Sequence, residues 1–261
     1  LIWKTRPKLF YEIYSHLVVT CGHCRCGCLP MKMVAHVVAT GLAAFIIYTA
    51  WPGSSLFSWH PACMALAFIC LMFEGLLVFN RESSLFSNVS HSSKILAHQL
   101  MNIGAFIFAL IGFLVIYYSK NLNNKNHFTT WHGTLGLATV CYVPLQMMGG
   151  AIAKYPALRN ILKMKLSTIK LYHATSGSIV LTLASCTLLT AFYSSWFTQQ
   201  VGDVIWWICF ACLTVIPMIG LNQITSAYLP QSRRKPAAEG KAEENSETNK
   251  IKKRTTKAKQ T

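Results

Sequence analysis

Acidic side chains are scarce in this sequence, since Asp and Glu together account for 8 of 261 residues. Charged residues of both signs make up 12% of the chain, whereas hydrophobic residues make up 53%. Soluble globular domains carry about 25% charged residues, so the composition excludes an ordinary soluble domain. The few charges also avoid the long apolar stretches, where Glu74 is the only acid. The composition therefore predicts an integral membrane protein.

Cysteine is absent from every segment that we expect to face away from the cytoplasm, so no structural disulfide is expected. Six of the ten cysteines, including Cys63 and Cys141, lie within long apolar stretches. The other four lie between Cys21 and Cys28, and their spacing is too compressed for a paired-CxxC zinc site. Juxtamembrane cysteines are also sites of S-acylation. We interpret residues 1–30 as a poorly ordered cytoplasmic extension, or as an upstream segment outside the native product.

Long apolar runs dominate the rest of the chain. Crossing ~30 Å of hydrocarbon takes about 20 residues at ~1.5 Å per residue, and six stretches are long enough. Lipid offers the backbone no hydrogen-bond partners, so each stretch is expected to be a helix rather than an open strand. The sequence thus predicts an all-α integral membrane protein with a six-helix bundle over residues 31–230. The predicted spans are 33–51, 57–79, 95–118, 131–152, 171–194 and 204–223.

Lysine and arginine accumulate on one side of the predicted bundle. Of the 24 basic residues, 22 lie in the four segments on that side, and only Lys120 and Lys125 lie in the three opposite segments. Because basic residues favour cytoplasmic loops, both termini are predicted to be cytoplasmic. Topology thus explains the net charge of +16, and the expected partner is a lipid bilayer, with no nucleic acid.

The segment 231–261 is poor in apolar residues and rich in Lys, Glu, Ser and Thr, which predicts a disordered, basic cytoplasmic tail. It ends with Lys257-Ala258-Lys259-Gln260-Thr261, a K-x-K-x-x pattern typical of dilysine retrieval signals in endoplasmic-reticulum membrane proteins. A lysine-rich tail also matches this pattern by chance. The expected location is therefore the endoplasmic reticulum or another endomembrane.

Four histidines lie near the starts of four successive predicted helices: His60, His98, His132 and His173. Histidine is costly in lipid, so four at matched depths suggest metal ligands. His60 and His132 are 72 residues apart, His98 and His173 are 75 apart, and each pair skips one intervening helix. Alternate helices run in the same direction, so both members of a pair reach the same depth. The topology places the His60/His132 pair near the outer face and the His98/His173 pair near the cytoplasmic face.

Two bis-histidine sites favour haem over zinc. A zinc site collects three or four protein ligands, and no cysteine or carboxylate accompanies either pair. A haem already supplies four equatorial nitrogens, so two axial histidines complete its coordination and leave electron transfer as its task. Small residues follow the ligands, including Gly133, Gly136 and Gly177, and Gly149-Gly150 lies at the far end of the fourth helix. We expect them to give a macrocycle room, although small residues are common wherever membrane helices pack closely.

Longer motifs surround these histidines and continue beyond them. They are Ala35-His36 through Gly41, Pro52-Gly53-Ser54-Ser55-Leu56-Phe57-Ser58-Trp59-His60-Pro61, Trp131-His132-Gly133, Lys170-Leu171-Tyr172-His173-Ala174-Thr175-Ser176-Gly177, Ser195-Trp196-Phe197, and Asn222-Gln223-Ile224-Thr225-Ser226-Ala227-Tyr228-Leu229. Together they resemble the cytochrome b561 family, in particular the branch called cytochrome b561 domain-containing proteins. The resemblance extends over roughly residues 31–230, and the stretch around His60 is the most specific.

This resemblance implies a six-helix bundle with two haem b groups between the second and fifth helices. His60 and His132 would bind the outer haem iron, and His98 and His173 the inner one. The resemblance also implies a transmembrane oxidoreductase that passes electrons from cytosolic ascorbate to ferric iron or monodehydroascorbate on the outer or luminal side. A homodimer is expected from the resemblance alone.

Basic residues near the inner pair are candidates for contact with ascorbate, which is an anion at neutral pH. Lys94 and Lys170 lie nearest to the inner histidines in sequence, and Arg81 and Lys165 lie on the same predicted side. A basic rim raises the local concentration of an anion, although positive-inside topology alone predicts the same residues. On the outer side, His127 is the candidate for substrate contact, and a solvated loop residue is the alternative interpretation.

A multi-pass transporter that uses intramembrane histidines as a proton or metal relay is the alternative function. Such a relay predicts histidines at graded depths, accompanying acids and helices broken at residues such as Pro144 and Pro217. Glu74 lies 14 residues after His60 and is expected on the same helix face, either reaching toward water or bonding a group at the inner haem's depth. His36 has no depth-matched partner and is expected to be a hydrogen-bonded packing residue.

Overall fold

The computed structural model describes residues 31–80, 85 and 88–228. The predictions for the N-terminal extension with its cysteine run, for Arg81, and for the basic tail with its retrieval signal lie outside the described residues. The chain divides into two units, Leu1–Ile224 and Thr225–Thr261. The contacts given below belong to the first unit.

Six long helices make up most of the described chain, and all six are long and apolar enough to cross a membrane. Two short helices, Pro156–Leu162 and Ser195–Gln200, lie in the connections, and no strand occurs among the described residues. The expected six-helix integral membrane fold is therefore confirmed, and the protein is a multi-pass membrane protein. The long helices are α1 Met31–Ala50, α2 Trp59–Leu77, α3 His91–Leu122, α4 Trp131–Lys154, α5 Leu166–Ala191 and α6 Asp203–Tyr228.

Capping residues extend the helices beyond their apolar parts. Ser90 precedes α3 and accepts a hydrogen bond from the backbone amide of Ser93 at 3.2 Å, and Thr130 caps α4 through the amide of Gly133 at 3.2 Å. Such caps satisfy amides that have no partner within the first turn. Hydropathy alone predicts the start of α3 at residue 95, whereas the cap places it at His91. The difference is a polar first turn that apolar patterning does not detect.

The second helix is not a regular α-helix throughout. Residues Ala65–Met72 form a π-helical segment, in which amides bond carbonyls five residues back, so the register of the helix changes. Glu74 therefore does not follow the regular spacing from His60, and its carboxylate contacts Nδ1 of His36 on α1 at 2.5 Å. Both side chains are largely buried, being 8% and 13% exposed. The expectation that Glu74 reaches toward water is wrong, whereas the expectation of a hydrogen-bonded His36 is confirmed.

Two apolar clusters hold the bundle together. The first joins α1, α2 and α6, and a row of alanines at Ala35, Ala39 and Ala43 lets α1 lie close to its neighbours. The second lies among α2, α3, α4 and α5 and contains Phe68 and Val143. Along each of these four helices, the residues of this second cluster lie between the two depths at which the histidines occur. The bundle is therefore apolar between the two histidine layers.

Replacing His36 by leucine leaves the Glu74 carboxylate buried without its imidazole partner. One Glu74 oxygen already has no hydrogen-bond partner among the described residues, so the loss cannot be compensated locally. We expect the free energy of unfolding to fall by about 3 kcal/mol. The double variant His36→Leu/Glu74→Leu removes both polar groups and should recover most of that loss. Thermal unfolding in detergent measures both effects, and a single variant as stable as wild type contradicts the expectation.

Candidate haem sites

The loop before α2 determines where His60 lies. Gly53 adopts a left-handed conformation with φ of 97°, which glycine tolerates because it has no Cβ. The buried Ser58 hydroxyl accepts a hydrogen bond from the Gly53 amide at 3.1 Å and donates to the Ser55 carbonyl at 2.7 Å. The helix begins at the next residue, so this serine-centred turn places His60 in the first turn of α2.

The four histidines occupy two layers in the bundle. His60 and His132 are each the second residue of their helices, and His98 and His173 are each the eighth. The ring centroids of His60 and His132 lie 6.0 Å apart, and those of His98 and His173 lie 6.2 Å apart. The structure thus brings together the same two pairs that helix direction predicts from the sequence.

The separation of the rings in each pair fits one metal ion between them. Two metal–imidazole bonds of ~2 Å, plus about 1.1 Å from each ring nitrogen to its ring centroid, give centroids ~6 Å apart. Among the described residues, no group of three or more His, Cys, Asp or Glu could hold a metal ion. A zinc site is therefore disfavoured, and the pairs suit a group that brings its own equatorial ligands, as haem does.

A backbone carbonyl fixes the position of the proton on the α2 and α3 imidazoles. Nδ1 of His60 donates to the Gly112 carbonyl at 3.0 Å, and Nδ1 of His98 donates to the Gly75 carbonyl at 2.8 Å. A carbonyl oxygen can only accept, so Nδ1 carries the proton in both rings. The Nε2 atom then keeps the lone pair that a metal requires.

The same arrangement recurs between α4 and α5. Nδ1 of His132 donates to the Thr187 carbonyl at 2.9 Å, and the ring of His173 hydrogen-bonds the backbone of Gln146. These bonds join α2 to α3 and α4 to α5 as two hairpins. The histidine pairs, in contrast, each combine one residue from either hairpin. A haem in either pair would therefore connect the two hairpins.

One spacing along the helices recurs in this arrangement. From each histidine to the residue on the same helix whose backbone holds the facing histidine, the distance is 14 residues on α3, α4 and α5. On α2 it is 15 residues, from His60 to Gly75. Four α-helical turns contain about 14 residues, and the π segment Ala65–Met72 absorbs the additional one. At ~1.5 Å per residue, the two layers lie roughly 20 Å apart.

The glycines predicted to give a macrocycle room have different neighbours. A Cβ on Gly150 would lie 3.1 Å from Cε1 of His173, so Gly150 does leave space beside that ring. A Cβ on Gly133 would instead lie 3.3 Å from the backbone of Phe128. Gly133 therefore allows close packing of the preceding loop, and the macrocycle is not needed to explain it.

A cavity of about 270 Å³ lies beside the His60/His132 pair and reaches the loop between α3 and α4. His127 from that loop lines the cavity. Its ring stacks on Tyr117 with centroids 4.2 Å apart, and its Nε2 contacts Oδ1 of Asn121 at 2.7 Å. His127 is therefore a half-buried, fixed part of the cavity wall, and the solvated-loop interpretation does not describe it.

Basic residues surround the opposite layer as predicted for two of the lysines. Lys94 is half-buried and lies four residues before His98 on α3, and Lys170 is exposed and lies three residues before His173 on α5. Residues three or four apart share a helix face, so each lysine is aligned with its histidine. Lys165 precedes the first residue of α5 and is exposed, which places it farther from that layer.

A further lysine at this end was not singled out by the sequence pattern. Lys154, the last residue of α4, donates a hydrogen bond to the side chain of Gln99 on α3, and its ammonium lies 5.3 Å from the centre of the Tyr155 ring. The hydrogen bond with Gln99 and the charge of Lys154 lower the pKa of the Tyr155 phenol. Gln99 directly follows His98, which is the sequence signal that connects this cluster to the site.

Comparison with known proteins identifies the group to which this architecture belongs. The model of eukaryotic cytochrome b561 matches residues 59–198, a stretch that includes all four histidines. The chain belongs to the cytochrome b561 family. Family members bind haem b, in agreement with the fit of each histidine pair.

Several curated members of the cytochrome b561 family are similar to this chain. Transmembrane reductase CYB561D2 of Bos taurus and of Homo sapiens is 40% identical over 202 residues, which cover 77% of this chain and 90% of the relative. Probable transmembrane reductase CYB561D1 of Mus musculus is 33% identical over 201 residues, covering 77% and 87%. Probable ascorbate-specific transmembrane electron transporter 1 of Oryza sativa subsp. japonica is 22% identical over 135 residues, covering 48% and 56%.

Gly112→Ala should remove haem from the His60/His132 pair of this cytochrome b561. A Cβ at position 112 would lie 3.0 Å from Cβ of Cys63, so α2 and α3 must separate and the Gly112 carbonyl must leave His60. Gly41→Ala is the matched control, because a Cβ there has nothing within 4 Å. Haem content per purified chain measures the difference. Equal haem content in both variants would refute the role of close packing at Gly112.

Proposed function

We propose that the protein is a transmembrane oxidoreductase that moves electrons from cytosolic ascorbate to ferric iron or monodehydroascorbate on the opposite side of the membrane. One haem b in each histidine pair supplies the one-electron carrier. The proposal rests on two imidazole pairs with ring centroids 6.0 and 6.2 Å apart, set in two layers of one bundle. The names of the relatives as reductases and as an ascorbate-specific electron transporter support it.

The protein's own contribution is to hold the rings and to exclude water between the layers. Each ring has a backbone partner, so its orientation and tautomer are set before any ligand binds. Apolar side chains, including Phe68, Val143 and Val180, occupy the bundle between the layers. A proton or metal relay needs polar groups along that path. The apolar interior therefore favours electron transfer over the transporter alternative, as do α4 and α6, which continue through Pro144 and Pro217.

Electron entry is assigned to the layer of His98 and His173. Lys94 and Lys170 share helix faces with these histidines, and a pair of ammonium groups attracts the ascorbate anion. Positive-inside asymmetry places this layer at the cytoplasmic face with both termini. Arg81 and Lys165 would extend the same positive rim.

Electron exit is assigned to the layer of His60 and His132. The cavity beside this pair is lined by His127 and by Lys120, which gives an acceptor access to the edge of the site. This face would be luminal in the endoplasmic reticulum or another endomembrane, and a homodimer is the expected assembly.

Reduced-minus-oxidised spectra of the purified protein test the proposal. Two b-type haems per chain, both reducible by ascorbate, are expected. In vesicles with the cytoplasmic face outward, His98→Ala should abolish reduction by external ascorbate, because it removes an entry ligand. His60→Ala should keep rapid reduction of the remaining haem and lose delivery to ferric chelate inside.

Two results would contradict this assignment. Protein that remains free of haem after adequate haem supply would exclude the proposed function. Retention of two haems by both His98→Ala and His60→Ala would exclude these histidines as ligands.

Charge reversal at the cytoplasmic rim tests the entry site separately. Lys94→Glu and Lys170→Glu should each raise the KM for ascorbate by about tenfold at low ionic strength, because a positive charge that concentrates the anion becomes repulsive. Added salt should reduce the difference from wild type. Lys163→Glu is the control, since this lysine lies in the connection before α5 and makes the same change in net charge. An equal rise in KM for Lys163→Glu would indicate a general charge effect and contradict a local entry site.

A further inference from the structure

Two positions next to each histidine follow a common rule of packing. One is the residue four positions after the histidine on its own helix, and the other is the residue on the facing helix whose backbone holds the ring. At each histidine, one of these positions is glycine and the other carries the side chain that fills the glycine's space. The pairs are Met64 with Gly112, Asn102 with Gly75, Gly136 with Thr187, and Gly177 with Gln146.

Carboxamides fill this space at both histidines of the His98/His173 site. A Cβ on Gly75 would lie 2.8 Å from Nδ2 of Asn102, and a Cβ on Gly177 would lie 2.8 Å from Nε2 of Gln146. The carboxamide comes from the histidine's own helix in one case and from the facing helix in the other. The two glycines therefore let a polar side chain approach each ring closely.

Hydrogen bonds fix the orientation of both carboxamides. Nδ2 of Asn102 donates to the His98 carbonyl at 2.8 Å, and Nε2 of Gln146 donates to the His173 carbonyl at 2.8 Å. Because a carbonyl only accepts, the nitrogen of each amide is identified. The Gln146 oxygen in turn accepts from the Ser176 hydroxyl. The amide nitrogens consequently lie 3.4 and 3.1 Å from Nδ1 of His98 and His173.

Methyl groups fill the corresponding space at the His60/His132 site. A Cβ on Gly112 would lie 3.2 Å from the terminal methyl of Met64, and a Cβ on Gly136 would lie 3.5 Å from the Cγ2 methyl of Thr187. The Thr187 hydroxyl is turned to the carbonyl of Leu183 instead. The two sites thus share backbone geometry and differ in the polarity of the side chain beside each ring.

An amide N–H beside an imidazole acts on the metal that the imidazole binds. The positive end of the amide dipole opposes donation of electron density by the ring, and it is unfavourable next to the more positive, oxidised iron. In a low-dielectric interior such a dipole is poorly screened. Groups in contact with axial ligands are known to tune haem potential in this way. The amides therefore favour the reduced state at this site.

We propose that Asn102 and Gln146 are positioning residues that raise the midpoint potential of the haem in the His98/His173 site. The inference rests on the haem ligands of the proposed function and assigns two additional residues to the site that accepts the electron. Acting through the histidine rings, they would make electron uptake at this layer more favourable than the histidines and carbonyls alone allow.

Potentiometric titration of full-length protein with optical detection tests this role. Asn102→Leu and Gln146→Met preserve side-chain size and remove the N–H groups, so each should shift the midpoint of the His98/His173 haem downward and leave the other haem's midpoint in place. The midpoint that is missing in His98→Ala identifies the haem concerned. Ser178→Ala is the matched control on α5, because its hydroxyl bonds only the Thr175 carbonyl of its own helix, and it should leave both midpoints unchanged.

Transplanting a carboxamide provides the converse test. Met64 stands to His60 as Asn102 stands to His98, so Met64→Asn should shift the midpoint of the His60/His132 haem upward. This variant also decides the question if Asn102→Leu or Gln146→Met fails to retain haem.

The outcomes separate the inference from the proposed function. Two bound haems with wild-type midpoints in Asn102→Leu and Gln146→Met would overturn the inference and leave the ligand assignment intact. A common shift of both haems, or no upward shift in Met64→Asn, would also overturn it. A wild-type protein that binds no haem would instead refute the proposed function.

Discussion

The hydrogen bond from each paired imidazole to the backbone of the neighbouring helix is the constraint on which the rest of the bundle depends. It requires that two helices approach closely enough for a ring to reach a carbonyl, and that the carbonyl lie at the same depth as the ring. Glycine at one of the contacting positions meets the first requirement. The 14-residue spacing on α3, α4 and α5 meets the second, and the π segment of α2 restores it where the spacing is 15.

These backbone partners also account for the scarcity of acids in the chain. Metal-bound histidines commonly donate their second nitrogen either to a carboxylate or to a carbonyl. A carbonyl has two lone pairs, so a helix can accept a ring N–H without losing its own hydrogen bond. Using carbonyls avoids placing four carboxylates in lipid, where each charge is costly. Glu74, the one buried acid, contacts His36 on α1, away from the paired histidines.

Sequence patterns predict the six spans and the two histidine pairs, because hydropathy and helix direction are properties of long segments. The π segment leaves no such signal, since Ala65–Met72 is uniformly apolar. Its effect on register also explains why the contact between His36 and Glu74 is missed by counting residues from His60. Asn102 and Gln146 are missed for another reason. Their role depends on which neighbouring position is glycine, and that is visible only when facing helices are placed side by side.

Reciprocal bonding makes the two layers parts of one mechanical unit. Each of the four helices carries a histidine at one layer and the backbone group that holds a histidine at the other. A shift of one helix along its axis would therefore disturb both layers, so neither site can be adjusted by moving the backbone without changing the other. Side chains beside the rings do not have this restriction. Differences between the two sites are consequently expected in those side chains, where the structure has carboxamides at one layer and methyl groups at the other.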